Sequence, residues 1–362
     1  MRTLLQQLLR KPILWLSEKF SSRPDKDRIY HALSKLYNDI IEDPGKKGPF
    51  IPIDPFRDRF IIFSDQHKGN RNGADDFVAS EKSYMAALEY YEQKKFCFIA
   101  LGDSEELWEN LFWQVKKAYA NTFEAERRFL ERKAFIKIFG NHDLYWANDP
   151  LASLELRTIY GSEVPIYEGA VLQMEVKGKP LHIFCTHGHQ GDSNSDGSWF
   201  AKFFIARIWA PLQAFLRINP NEPSNDAYKK TIHNEIMYQW SATQQNMILI
   251  TGHTHQPVFE SLTHLERLHR KMKFAESQQD EDALAKINDE IKKYERRFDT
   301  LDEDYTKIVP TYFNTGCCCY SDGDITGIEL EEGYIRLIKW QNKAEPPSRI
   351  ILEERLLADL IQ

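Results

Sequence analysis

No stretch of this 362-residue sequence approaches the roughly 20 uninterrupted apolar residues that a membrane-spanning helix requires. Cysteine is scarce. The five are Cys97, Cys185 and the run Cys317-Cys318-Cys319, and their spacing is that of neither a zinc finger nor a redox dithiol. Cys97 and Cys185 fall inside expected strands, where a thiol behaves as a small hydrophobe, and a reducing cytosol is the expected compartment. Positive charge is not in excess: 47 Lys and Arg stand against 54 Asp and Glu, for a net charge of −7. A nucleic-acid surface normally carries a basic footprint, so a nucleic-acid partner is not expected.

What is present is a chain able to bury a large core. Its hydrophobic content is 42% and its aromatic content 13%, which places it among globular proteins. Its length suits one large domain with insertions or one domain plus an appendage. The first residues, MRTLLQQLLRKPILWLSEKF, do not read as a signal peptide: Gln6, Gln7, Arg10 and Lys11 interrupt the apolar stretch, and no small-residue cleavage site follows. Their leucines, with Arg2, Arg10, Lys11 and Lys19 nearby, have the composition of a membrane-surface helix. The alternative is a terminal helix docked on its own core.

Five short polar clusters each follow an apolar run. They are Asp65-Gln66-His67 after FIIFS, Gly102-Asp103 after FCFIAL, Gly140-Asn141-His142-Asp143 after AFIKIF, Thr186-His187-Gly188-His189 at the end of LHIFC, and Gly252-His253-Thr254-His255 after MILIT. The runs are short and rich in β-branched and aromatic residues, as buried strands are. In open α/β sheets, ligands bind beyond the carboxyl ends of strands. One such cluster is ordinary turn chemistry; five in the same structural position imply one shared metal centre. The donors are nitrogen and oxygen, suited to manganese, iron or zinc.

A pair of divalent cations about 3.5–4 Å apart can clamp the attacking and leaving oxygens of an in-line phosphoryl displacement and lower the pKa of a water between them. One carboxylate must then bridge both ions, and Asp103 is placed for it. His142 is suited to protonate the leaving oxygen, with Asp143 expected to orient its ring.

In these motifs, D-x-H, G-D, G-N-H-D, H-x-H and G-H-x-H in order from Asp65 to His255, the chain resembles the calcineurin-like metallophosphoesterases over about residues 58–340, insertions excluded. The resemblance implies a four-layer αββα sandwich of two mixed sheets. It also implies two divalent metal ions, manganese first with iron or zinc as alternatives. Asp65, His67 and His255 would hold one ion, Asn141, His187 and His253 the other, and Asp103 both. His142 takes the catalytic histidine's role, and His189 becomes a supporting or phosphate contact. Lys68 and Arg71 are read as candidate contacts to a distal phosphate, against the alternative of ordinary surface cations.

Around the domain at 51–345, residues 1–50 are expected to form an N-terminal helical extension and 346–362 a C-terminal helix. Two insertions interrupt the strand–helix order. The first, 193–245, carries the aromatic stretch SWFAKFFIARIWAPLQAFLRI, a helix apolar almost all round that must be buried, cover the site or meet lipid. In place and character it is similar to the lipid-binding cap of UDP-2,3-diacylglucosamine hydrolases, although that branch has Arg where this chain has His142. The second, 261–306, has Leu284, Ile287, Ile291, Tyr294, Phe298 and Leu301 in coiled-coil rhythm. It reads as a charged helical hairpin and a candidate homodimer arm. The expected function is hydrolysis of a phosphomonoester, phosphodiester or pyrophosphate, on a lipid-linked or nucleotide-containing substrate, with peripheral membrane association. The alternatives are a nuclease and a metal-bearing interaction scaffold of the same fold.

Overall fold

The computed structural model describes residues 25–191, 227–263, 310–343 and 345–361, together with seven isolated helical residues between 272 and 288. The expectations for residues 1–24, for the aromatic stretch and for nearly all of the charged hairpin lie outside the described residues.

Two seven-stranded mixed sheets form the middle of the molecule. In the first, β2 (Phe60–Phe63), β3 (Cys97–Leu101), β4 (Phe135–Ile138) and β5 (Ile166–Tyr167) run parallel. Beside β2 the antiparallel strands β12 (Ile325–Glu331), β13 (Tyr334–Gln341) and β14 (Ser348–Leu356) complete the sheet. The second has the order β1 (Phe50–Pro52), β6 (Gly169–Val176), β7 (Lys179–Thr186), β8 (Met247–Thr251), β11 (Tyr312–Asn314), β9 (Val258–Phe259), β10 (Leu262–Thr263). Within it β7, β8 and β11 are mutually parallel.

The apolar runs are continuous, not alternating, because these strands are buried on both faces. Ile62, Ile99, Leu101 and Ile138 of the first sheet meet Leu172, Ile183, Cys185, Ile248 and Ile250 of the second. Their neighbours Ile61, Phe63, Phe98 and Ala100 face the opposite way, onto α2 (Phe77–Gln93), α4 (Ala120–Glu131) and the helices around them, α3 (Phe112–Ala118), α5 (Tyr145–Asn148) and α6 (Ala152–Tyr160). Beyond the second sheet, Val171, Phe184, Leu249 and Tyr312 pack on α1 (Lys26–Glu42) and α7 (Ala227–Ser241). The layers are thus helix, sheet, sheet, helix, as the sequence motifs implied.

Three expectations are corrected. Residues 348–356 form the edge strand β14, not a C-terminal helix, and only a 3₁₀ turn at Leu357–Asp359 follows. The last part of the first insertion is α7, whose Ile236, Met237 and Trp240 belong to the outer core layer. Leu262 and Thr263, inside the segment 261–306 expected to be a charged helical hairpin, lie in β10. Among the described residues no helix is long and apolar enough to cross a membrane.

Candidate metal centre

The five clusters follow the carboxyl ends of β2, β3 and β4 in one sheet and of β7 and β8 in the other. Parallel pairing continues past the strands: Asp65 N donates to Gly102 O (3.1 Å), His67 N to Asp103 O (2.9 Å) and Gly252 N to His187 O (3.0 Å). The two sheets are tied at this edge by His187, whose Nδ1 lies 2.8 Å from the Leu101 carbonyl of β3. That bond puts the proton on Nδ1 and leaves Nε2 as a free donor atom.

Turning so sharply costs backbone strain. Asp65, His67, Asp103, His253 and His255 all have φ between 50° and 67°, a region that non-glycine residues enter at a cost and that clusters at functional sites. Two glycines permit the close approach. A Cβ on Gly140 would collide with Asp103 Oδ1, and one on Gly252 would stand 2.5 Å from Asp65 Oδ2.

Each aspartate has one oxygen held by backbone and the other turned inward. Asp65 Oδ2 accepts from Ser64 Oγ and from His253 N (3.0 Å). Its Oδ1 faces His255 Nε2 at 3.1 Å and His67 Nε2 at 3.8 Å. Asp103 Oδ1 accepts from His142 N (2.8 Å). Its Oδ2 lies 3.1 Å from His187 Nε2 and 3.7 Å from His67 Nε2, between the two halves of the site. Two further groupings of donor atoms share this aspartate, one with His67 and His142 and one with His187 and His253. Asp65 Oδ1, Asn141 Oδ1 and His187 Nε2 are buried without a hydrogen-bond partner. Buried polar atoms are rarely left unpaired, and an ion is one reason for them. The residues present therefore fit divalent cations.

The charges agree. Burial alone would raise the Asp103 carboxyl, but His187 and His142 hold it far below its usual range. Burial would lower His187, but Asp103 and Asp65 push it up to about 9. The centre attracts positive charge, which protons supply when cations do not.

The His142 side chain is 16% exposed. Its Nδ1 stands 2.7 Å from Glu106 Oε2, and the same oxygen is 3.0 Å from His67 Nδ1. Trp108 stacks on the His142 ring at 4.4 Å and 21°. Burial would raise Glu106, yet His142 and His67 bring it down to about 2, so it is a carboxylate. Glu106, three residues after Asp103, is the orienting acid that the sequence reading missed. Asp143 does not fill that role: its carboxylate accepts from Gly140 N (2.5 Å) and Ser104 N (2.8 Å), tying the loop after β4 to the loop after β3.

The expected phosphate contacts also move. Lys68 is fully buried, 2.6 Å from Glu126 and 3.3 Å from Glu105, with its ammonium 4.5 Å from the Phe123 ring centre. Lys137 and Trp146 bind Glu105 from the other side (2.9 and 2.8 Å), while Tyr84 and Tyr160 donate to Glu126. Lys68 thus braces the metal loops from behind. Arg71 is engaged by Glu81 (2.6 Å) and the Ala118 carbonyl (2.9 Å) and lies over Tyr119. His189 is buried beside His187 and Phe139. Burial and the neighbouring His187 lower it to about 3, so it is neutral. Further histidine density comes from α7, where His233 lies 5.2 Å from the His253 ring.

The calcineurin-like phosphoesterase model matches residues 58–257, over half the chain. The chain belongs to this family. Among curated proteins no match was found. Among solved structures, a mutant of a cold-active protein tyrosine phosphatase aligns over 84% of this chain and 82% of its own at 10% identity. Its TM-score of 0.35 is too low to bear on fold or function. As a calcineurin-like phosphoesterase, the protein is a metal-dependent hydrolase of phosphoester bonds.

Proposed function

We propose that this phosphoesterase holds two divalent cations, one on Asp65, His67 and His255 and one on Asn141, His187 and His253, with Asp103 shared. The observation that carries this reading is the set of buried donor atoms without a hydrogen-bond partner, Asp65 Oδ1, Asn141 Oδ1 and His187 Nε2, around the Asp103 carboxylate. Cations bound there would neutralise the phosphoryl oxygens and provide a water that ionises near neutral pH. The chain supplies the rest. Asp103 and Asp65 keep their inward oxygens fixed through backbone donors, so no reorganisation is needed as charge develops. His142, held by Glu106 and backed by Trp108, gives its proton to the leaving oxygen.

Manganese, iron and zinc all suit this donor set. For the substrate we favour a lipid-linked or nucleotide-containing phosphoester. Supporting it are the aromatic residues Trp199, Phe200, Phe203, Phe204, Trp209 and Phe215 in the sequence between the fourth and fifth motifs.

The test is an aryl phosphodiester and an aryl phosphomonoester assayed with Mn²⁺, alongside metal content by mass spectrometry. We expect two ions per chain, and activity lost in Asp103→Ala and His142→Ala. Two filled sites with no turnover of any phosphoester would favour an interaction scaffold. Liposome sedimentation of the full chain and of a variant lacking residues 1–22 tests the lipid reading, and negligible binding by both would overturn it.

A further inference from the structure

The helix that closes the first insertion, α7, does more than cover the second sheet. Its Ile236, Met237 and Trp240 belong to the outer core layer. His233 and Asn234, each only 5% exposed, instead direct their polar atoms at the loops that follow β7 and β8. His233 Nε2 donates to the Gly188 carbonyl at 2.8 Å, between His187 and His189, and its ring meets that of His253 at 5.2 Å and 64°. Asn234 Oδ1 accepts from Thr254 Oγ1 (3.1 Å) and from Tyr312 OH (2.8 Å), while its Nδ2 donates to Gln256 Oε1 (2.9 Å). Thr254 and Gln256 are the two sequence neighbours of His255.

The loop after β8 needs such holding. His253 and His255 have φ of 67° and 56°, a backbone region in which non-glycine residues persist only where the surroundings over-determine it. Gly252, at the start of the loop, is fixed by strand neighbours: its N–H donates to His187 O (3.0 Å) and its carbonyl accepts from Asn314 Nδ2 (2.6 Å). At Thr254 and Gln256 the helix adds its own partners. In the loop after β7, the Gly188 carbonyl is buried, so losing the His233 donor would leave a polar group that the loop must turn to satisfy.

We propose that His233 and Asn234 are positioning residues that hold the two histidine-bearing loops of the second sheet in metal-binding geometry. The inference rests on the metal assignment proposed above. His233 acts on the ion at His187 and His253. Asn234 acts on the loop that carries one ligand of each ion, His253 and His255. The insertion between the fourth and fifth motifs therefore returns to the core through a helix that supports the metal centre.

Manganese titration of the full chain, read by calorimetry and electron paramagnetic resonance, tests this without any assay of turnover. Two ions that share Asp103 couple magnetically, whereas a lone ion shows its own hyperfine pattern. His233→Ala should weaken one of the two ions by about 10–100-fold and show the lone-ion pattern at intermediate loading. His233→Gln, whose amide can donate to the same carbonyl, should bind the pair more tightly than His233→Ala. Asn234→Ala should weaken both ions, and it decides alone if His233→Ala does not fold. Trp240→Phe, further along the same helix, loses the bond to Ser34 Oγ (3.0 Å) and should keep the coupled pair. Wild-type affinity for both ions in the two alanine variants would overturn the inference and leave the metal assignment standing. An equal loss of affinity in Trp240→Phe would also overturn it, because α7 would then act only through the stability of the fold. If the wild-type chain binds no pair of ions, the metal assignment itself fails, and this inference with it.

Discussion

Lys68 tests whether the ion cluster behind the metal loops is structural. The ammonium is fully buried between Glu126 (2.6 Å) and Glu105 (3.3 Å). Burial alone would lower its pKa, but the two glutamates outweigh that and raise it, so Lys68 is charged at neutral pH. Lys68→Met keeps most of the apolar stem and deletes the charge. Glu105 still has Lys137 and Trp146, while Glu126 is left with two tyrosine hydroxyls and no cation. Removing one partner of a buried pair costs about 3–5 kcal/mol, because the other charge stays behind unpaired. At about 2 °C per kcal/mol for a domain of this size, the melting temperature should fall by about 6–10 °C.

Calorimetry and urea unfolding give the stability, and a steady-state assay below the lowered melting point gives KM. Adding Glu126→Gln to Lys68→Met should recover at least about half of the loss, since deleting both charges of a buried pair is often close to neutral. The reasoning is refuted if Lys68→Met melts within about 1 °C of the parent while KM for the phosphoester rises. That result would return Lys68 to the substrate side, where its position after His67 in the sequence had put it.

Three further outcomes follow from the site. Glu106→Gln should lower activity by about 10–100-fold and shift the alkaline limb of the pH–rate profile to lower pH. Burial lowers the His142 pKa and Glu106 raises it to a net increase, so without that carboxylate the proton needed by the leaving group is lost at lower pH; an unmoved limb would exclude His142 as the acid. Metal binding should release protons between pH 6 and about 9, because metal-free His187 titrates near 9 and must be neutral to bind; calorimetry in buffers of different ionisation enthalpy would show this, and buffer-independent heats would contradict it. Gly140→Ala should cost at least about 10-fold in metal affinity, because its Cβ would displace Asp103 Oδ1; unchanged affinity would mean that the Asp103 position is not a ligand position.

How far the sequence reveals this protein depends on how local each determinant is. Strands buried on both faces read as unbroken apolar runs, and their polar ends are adjacent in sequence, so the five clusters and the αββα order are legible. The hairpin at 325–341 is equally local, set by alternation and the turn at Glu332-Gly333. β14 is not: ILEERLLADL spaces its apolar residues as a helix would, and pairing with β13 overrides that pattern. Its Arg349 finds Glu329 on β12 (2.6 Å), a partner 20 residues earlier that no window on 346–362 can show.

The same distinction explains Lys68. Its neighbour His67 suggested a residue facing the substrate, but its partner Glu126 comes 58 residues later on α4. A signal did exist there. Thr122, Phe123, Glu126 and Phe129 share the buried face of that helix, so an acid occupies a position whose three- and four-residue spacing otherwise calls for apolar side chains. A carboxylate in such a register must meet a buried cation or lose its charge. Here the cation is Lys68, next to the proposed metal ligand His67. An acid in an apolar helical register is therefore a pointer to the back of an active site, as a polar cluster at a strand end is to its front.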